Sequence, residues 1–318
     1  MESIVKQTPF TSSPRGNVLL QALHKNYLIY LIMLPGVLFF LIFSYIPMLG
    51  LIIAFQDYNP LKGFMSKFIG FKNFEFFFTS NDWLKVTFNT LYLNFLFIVA
   101  GTVFPIFIAI LITEIRNRIF AKVNQSIIIL PHFISWPVVS MFIIAFFATD
   151  GGVVNQILVG FGIEKINFTT RADLWPPLLV LMRVWKEAGF SAILYIATIA
   201  SIDTELYEAA RMDGASRIRC IMHITIPLLK KTVILLTLLA LGRIFFGDFG
   251  MIYAIVGDNA TLYSTTDVID TYVFRALRLN GDFGMSAAVG FYQSLIGFVL
   301  ILSVNALAKK YDKETALF

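Results

Sequence analysis

Long stretches without Asp, Glu, Lys or Arg constrain this chain more than anything else in it. Such runs cover 26–56, 86–113, 123–149 and 283–308, each longer than the roughly 20 residues that carry a helix across a bilayer. Two more, 176–202 and 232–256, are long enough but are interrupted by Arg183, Lys186 and Glu187 in the first and by Arg243 and Asp248 in the second. The expectation is an all-α polytopic membrane protein with six transmembrane helices. Composition agrees, since 58% hydrophobic residues, 14% charged residues and a mean hydropathy of +0.77 are too apolar for a soluble domain.

The cations set the orientation. With six spans, residues 1–26, 114–122, 203–231 and 309–318 share one side and hold 14 Lys and Arg, against 8 in loops 57–85, 150–175 and 257–282. The positive-inside rule therefore predicts a cytoplasmic N-terminal segment (1–26), a transmembrane domain over 27–308, and a cytoplasmic tail (309–318). The net charge of +5 is then a topology signal and not a sign of nucleic acid. The first apolar run is too long for the core of a signal peptide and reads as a retained helix. Cys220 is the single cysteine, and His24, His132 and His223 lie far apart, which argues against disulfides and metal clusters. His132, beside a helix kink, is assigned no role. No phosphate loop, dinucleotide fingerprint or HExxH pair is present. No catalytic, metal or cofactor-binding residue is expected, and any energy must come from another chain.

The polar stretch 203–231 carries the most specific pattern. Asp203 or Thr204 can cap a helix, Glu205 suits its positive end, and Asp213-Gly214 can end it after about nine residues. A second short helix can run from Ala215 to Pro227, making an elbow with Leu206, Ala209 and Ala210 on one side and Tyr207 paired with Arg211 on another. Small alanines admit a partner's backbone, and Glu208 can offer it a charge-assisted contact.

Glu208, Ala209, Ala210, Gly214, Ile224 and Pro227 fall in register with EAA, three residues, Gly, nine residues, I-x-L-P, with Ile226 in place of the Leu. That pattern resembles the signature of ABC-importer permease subunits. Tyr207, Asp213 and Ala215 extend the likeness to the carbohydrate-uptake version, YEAAxxDGA. Tyr45-Ile46-Pro47, the stretch from Ala54 to Pro60, and Trp185-Lys186 with Gly189 are similar to the LplB-like subgroup of MalF-type sugar permeases. Gly257-Asp258-Asn259 departs from the Gly-Gly-Pro turn common in that family, and no outer loop is long enough for a large outer domain. The resemblance implies a MalF/MetI-like permease fold in a bacterial inner membrane. In it the 203–231 loop is the coupling helix, seated on one of two cytoplasmic ATP-binding subunits that hold ATP and Mg. It also implies a second, MalG-like permease subunit as heterodimer partner, an extracytoplasmic solute-binding protein, and alternating access driven by those ATPases.

Charges near the bilayer centre suggest the path. Counting about 1.5 Å per residue from the span ends puts Arg183 and Lys186 roughly 10–15 Å deep and Arg243 about 17 Å deep. Each costs on the order of 3 kcal/mol there, so it faces a cavity, a partner or a pathway. Glu187 can neutralise Arg183 or Lys186, and Arg243 can pair with Asp248 or a backbone carbonyl. Alternatively the cations form a cavity for an acidic, uronate-containing oligosaccharide of alginate or pectin type, towards which the subgroup resemblance also leans. Trp185, Tyr195, Phe245, Phe246, Phe291, Tyr292 and Gln293 are further candidates for contact with sugar. Two other readings stand beside this: a permease for neutral sugars or other solutes, and a non-transporting component that relays a signal through the same loop.

Overall fold

A computed structural model describes residues 26–80 and 82–311. The expected N-terminal segment up to Lys25 and the end of the expected C-terminal tail, 312–318, lie outside the described residues. The chain divides into two compact units, one up to Ile52 and one from Ile53.

The first unit is one apolar helical stave. Helix α1 (Tyr27–Phe40) continues through a π turn at Leu41–Tyr45, and helical backbone runs on to Phe55 across the unit boundary. Every side chain from Asn26 to Leu49 is exposed. A helix that is apolar all round is one built for an apolar surrounding.

The second unit opens with a short antiparallel hairpin, β1 (Gln56–Asp57) on β2 (Lys67–Phe68), followed by α2 (Lys72–Thr79). Helix α3 (Asp82–Thr113) is 32 residues long, about 48 Å, and passes Pro105 without a break. Helices α4 (Arg118–Ile129) and α5 (Trp136–Phe147) meet at 96°, and α6 (Val153–Gly160) precedes α7 (Trp175–Ala200). The short α8 (Thr204–Met212) turns 68° away from α7. Helix α9 runs from Arg217 to Leu241, and then come α10 (Phe249–Val256), α11 (Ile269–Asn280) and α12 (Phe283–Tyr311).

By length and composition four helices can each cross a membrane whole, Tyr27–Phe55, α3, α9 and Phe283–Ala306, and the bent pairs α4 with α5 and α7 with α8 are further candidates; two stretches depart from the sequence expectation. The stretch 123–149 is not one helix. Asn117 caps α4, but Pro131 and Pro137 each remove a backbone N–H, and the chain makes a 3-10 turn at Leu130–Phe133 before restarting at Trp136. Span five is likewise not 232–256. It begins at Arg217, because Pro227 does not stop it: a π turn at Ile221–Thr225 widens the helix just ahead of the proline ring and lets it continue. It then ends at Leu241, and seven residues, Gly242–Asp248, cross to α10 without regular helix.

Three apolar clusters hold the second unit. One joins Phe97 of α3, Ile143 of α5, Leu179 of α7 and Met251 of α10. Another joins Phe77, Val86, Phe245, Ile269 and Val289. The third packs Ala109, Ala192, Tyr195 and Leu229, where two alanines bring α3 and α7 together in the most extensive helix pair of the fold.

Candidate functional site

The break in span five needs explaining first, since irregular backbone at membrane depth survives only where its polar groups are met. Asn94 of α3 donates its Nδ2 to the carbonyls of Ile244 (2.8 Å) and Phe246 (3.1 Å). Gln293 of α12 donates to the carbonyl of Phe245 at 2.6 Å. The Gly247 N–H donates to Asp270 Oδ2 at 2.6 Å, and a Cβ at Gly247 would meet that carboxylate and the Val268 side chain. Asp270 lies on α11, outside the spans. Burial pushes its carboxyl up from the usual range, against the opposing pull of the Gly247 N–H and the Gln293 amide. Asp248 closes the break by accepting from the Met251 N–H at 3.1 Å, which caps α10.

Beside the break lies a cavity of about 640 Å³ between α3, α7 and α9. Helix α7 presents Arg183, Glu187, Ser191 and Tyr195 to it, four residues apart and so on one face. Arg243, Phe246 and Asp248 come from the break, and Asn94, Phe97 and Thr102 from α3. Arg183 Nη1 pairs with Asp248 Oδ2 at 2.8 Å, and its guanidinium lies 4.7 Å from the centre of the Phe97 ring. Arg243 is exposed and has no carboxylate partner among the described residues. The expected pairs Arg183–Glu187 and Arg243–Asp248 are thus corrected: Arg183 takes Asp248, because the break brings the α10 cap to α7.

Lys186 is off the cavity. It is 5% exposed, donates to the His132 carbonyl at 2.6 Å, and sits 3.2 Å from Glu187 Oε1. His132 Nδ1 is in turn 2.7 Å from Glu187 Oε2, and its ring stacks on Phe190 at 4.1 Å. His132 is therefore a packed, hydrogen-bonded residue, as its place beside a kink suggests. Helix α4 reaches this cluster because Gly189 has no side chain; a Cβ there would run into the carbonyl of Ile128. In the Trp185-Lys186 and Gly189 pattern, the lysine and the glycine pin the bend of span three to α7. Trp185, 45% exposed, faces away from the cavity. Tyr292 packs on Phe77 and Phe78, Gln293 is spent on the break, and Phe291 meets Phe55 and Phe74. Of the candidates, Arg183, Glu187, Tyr195, Arg243 and Phe246 line the cavity.

The sequence reading missed Asn94, Phe97, Thr102, Ser191 and Asp248 as lining residues. The helical stripe 183, 187, 191, 195 was available as a signal. Asn94, polar within an uncharged span and in step with Phe97 and Gly101, was another.

At the other end of α9, the elbow is built much as its residues suggest. Asp203 Oδ1 accepts from the Glu205 N–H at 2.9 Å, α8 covers nine residues, and Gly214 adopts φ +78°, a value that suits glycine. Tyr207 does not pair with Arg211. Its hydroxyl meets Thr225 Oγ1 at 2.9 Å, tying α8 to the π turn of α9. Glu208 and Ala209 are exposed and Ala210 is half-buried, while Met212 (89%) and Ile218 (74%) stand free. Ala215, Ile224 and Pro227 follow on the α9 side of the elbow.

A bent third span, an irregular break after α9, a charged cavity and a patterned elbow are the marks of a multi-pass membrane permease subunit. Residues 101–313 match the family described as binding-protein-dependent transport system inner membrane component, and the chain belongs to that family. It is 38% identical over 317 residues to Protein LplB of Bacillus subtilis (strain 168), covering 99% of both chains. To the polygalacturonan/rhamnogalacturonan transport system permease protein YteP of the same organism it is 39% identical over 306 residues, covering 96% of this chain and 94% of YteP. It also superposes with a TM-score of 0.84 on a chain from the crystal structure of a bacterial ABC transporter involved in the import of the acidic polysaccharide alginate. The identity there is 34%, and the match covers 92% of this chain and 98% of the other.

Proposed function

We propose that this chain is one of two permease subunits lining the path of an ATP-driven importer, and that its cargo is an acidic, uronate-containing oligosaccharide. The observation that carries the cargo reading is Arg243. Arg183 is matched by Asp248 and Lys186 by Glu187, whereas Arg243 projects into the cavity with no carboxylate partner among the described residues. A cation left uncompensated at that depth is costly unless an anion arrives to meet it. The polygalacturonan/rhamnogalacturonan permease and the alginate importer, to which the chain is similar, support the same class.

In this reading both termini are cytoplasmic, and the partners are a second, MalG-like permease, two ATPases carrying ATP and Mg, and a solute-binding protein outside. A likeness to a bacterial alginate transporter in complex with alginate pentasaccharide-bound periplasmic protein supports the last of these. ATP hydrolysis is left to the ATPases, and this chain transmits their closure. Helix α8 presents Glu208, Ala209 and Ala210 to the ATPase. It continues from α7 and is latched to α9 by Tyr207, and those two helices carry Arg183 and Glu187 on one side and lead to Arg243 on the other. A displacement of α8 thus reaches both walls of the cavity through two stiff rods.

The test is uptake by the reconstituted importer of uronate and neutral oligosaccharides of equal length. Losing a charge-assisted contact of about 1.5–3 kcal/mol, Arg243→Gln should lower uronate uptake roughly ten- to hundredfold and spare neutral uptake. Equal loss of both would overturn the acidic reading. Uptake of neutral sugar alone by the unaltered importer would favour the neutral-cargo reading, for which the closed Arg183–Asp248 pair speaks. Glu208→Ala should abolish stimulation of ATP hydrolysis by loaded binding protein, whatever the cargo.

A further inference from the structure

The three loops that the positive-inside rule puts outside hold eight cations, and five of them are neutralised. Lys85 pairs with Asp82, Lys165 with Asp150, Arg171 with Asp173, Arg275 with Asp267 and Arg278 with Asp258, all at 2.5–2.9 Å. The other three, Lys62, Lys67 and Lys72, are exposed and without a carboxylate partner among the described residues. All three belong to the β1–β2 hairpin and the start of α2, and no acidic residue lies between Asp57 and Glu75.

Residues 61–72 also hold five strongly exposed apolar side chains, Leu61 at 96%, Met65 at 91%, Phe71 at 72%, Phe68 at 67% and Phe64 at 62%, whereas the 150–175 loop has Phe161 at 80% without an unpaired cation beside it. This presentation is built. Gln56 donates to the Phe64 carbonyl at 2.9 Å, Ser66 Oγ to the Gly63 carbonyl at 2.6 Å, and the Leu61 N–H to Asn59 Oδ1 at 2.9 Å. The tip's polar backbone is turned inward and its apolar side chains outward. Level is fixed as well: Tyr58 packs on Phe283, the first residue of α12, at 5.4 Å, and Phe55 packs on Phe291 at 5.6 Å. The hairpin therefore lies where the last span leaves the hydrocarbon.

We infer that the 58–72 hairpin is a membrane-surface anchor. Leu61, Phe64, Met65 and Phe68 enter the boundary of the outer leaflet, and Lys62, Lys67 and Lys72 bind the phosphates of anionic phospholipids. Apolar side chains interleaved with lysines suit that boundary, where lysine stems reach along the apolar zone to the phosphates. They suit a protein partner poorly, because the buried centre of a protein interface is depleted in lysine. The inference rests on the proposed orientation but not on the cargo.

The test places a nitroxide on the hairpin by Met65→Cys, with the buried Cys220 replaced by Ala, in the assembled importer. Nanodiscs are made with and without phosphatidylglycerol. Collision of the label with oxygen, which partitions into lipid, is compared with collision with a water-soluble nickel chelate. The expected result is an oxygen preference that rises with phosphatidylglycerol and is lost in the Lys62→Glu, Lys67→Glu, Lys72→Glu variant. If that variant does not assemble, the lipid series with native lysines carries the test alone. A nickel preference in both lipids overturns the anchor. So does an oxygen preference indifferent to lipid charge, or protection of the label that appears only when binding protein is added, which would make the hairpin a protein-docking surface.

Discussion

Spans three and five are both broken within the second unit, and both breaks expose carbonyls that a neighbouring helix must satisfy. They differ in what satisfies them. At the bend of span three the freed carbonyl of His132 is taken by the ammonium of Lys186, with Glu187 and His132 closing the charge. At the break of span five the carbonyls of Ile244, Phe245 and Phe246 are taken by the neutral amides of Asn94 and Gln293. The first solution uses up a cation as structure. The second supplies donors without charge and so leaves Arg243, on the same break, free to face the cavity. A buried cation in a transporter is thus not by itself a sign of a binding site: what matters is whether a backbone carbonyl has already claimed it.

This contrast can be broken most forcefully at Lys186. Lys186→Met removes the charged donor to the His132 carbonyl and leaves the half-buried Glu187 with only the imidazole, and losing a hydrogen bond from a charged group costs about 1.5–3 kcal/mol. The assembled importer should show a clear fall in melting temperature in scanning fluorimetry. Glu187→Gln added to it should recover part of the fall, because the orphaned charge is then gone. Wild-type melting of Lys186→Met, with loss of uptake only, would move Lys186 back to the substrate path. At the other break, Gln293→Leu orphans one carbonyl and takes one of two donors from Asp270, which keeps the Gly247 N–H. A hydrogen bond inside a membrane is worth about 1–2 kcal/mol, so its melting should fall less than that of Lys186→Met. An equal fall would show that amides and ammonium do the same work.

The two breaks also differ in how well the sequence announces them. Pro131 and Pro137 flank the bend of span three, yet 123–149 still reads as one helix. A proline says that an N–H is missing but not whether the helix kinks, as here, or carries on, as α3 does past Pro105 and α9 past Pro227. The break of span five has only Gly242 and Gly247 to mark it, and its cause lies in Asn94 and Gln293, far away in the chain. The elbow was legible because it is local. Asp203, Gly214 and the alanines act within a few residues of themselves, and only the Tyr207–Thr225 contact reaches further. Charge pairing was least legible: Arg183 meets Asp248 across 65 residues, and no i, i+4 rule would find it.

Asp270 offers the smallest and sharpest test, since here an anion and not a cation is drawn to the break of span five. Its Oδ2 accepts from the Gly247 N–H and from Gln293 Nε2 at 3.0 Å, and burial raises its carboxyl above the usual range. Folding must then work against desolvation to keep the carboxylate ionised. A raised folded-state pKa means that this penalty is absent below the unfolded pKa and fully present once pH exceeds the folded one. Asp270→Asn retains an oxygen for both donors and sheds the charge, so melting at neutral pH should change by less than about 1 kcal/mol. It should also lose whatever part of its fall with rising pH is due to this carboxyl. A drop as large as that of Lys186→Met would mean that the negative charge itself is needed at Gly247, and that the break of span five relies on ionic capture after all.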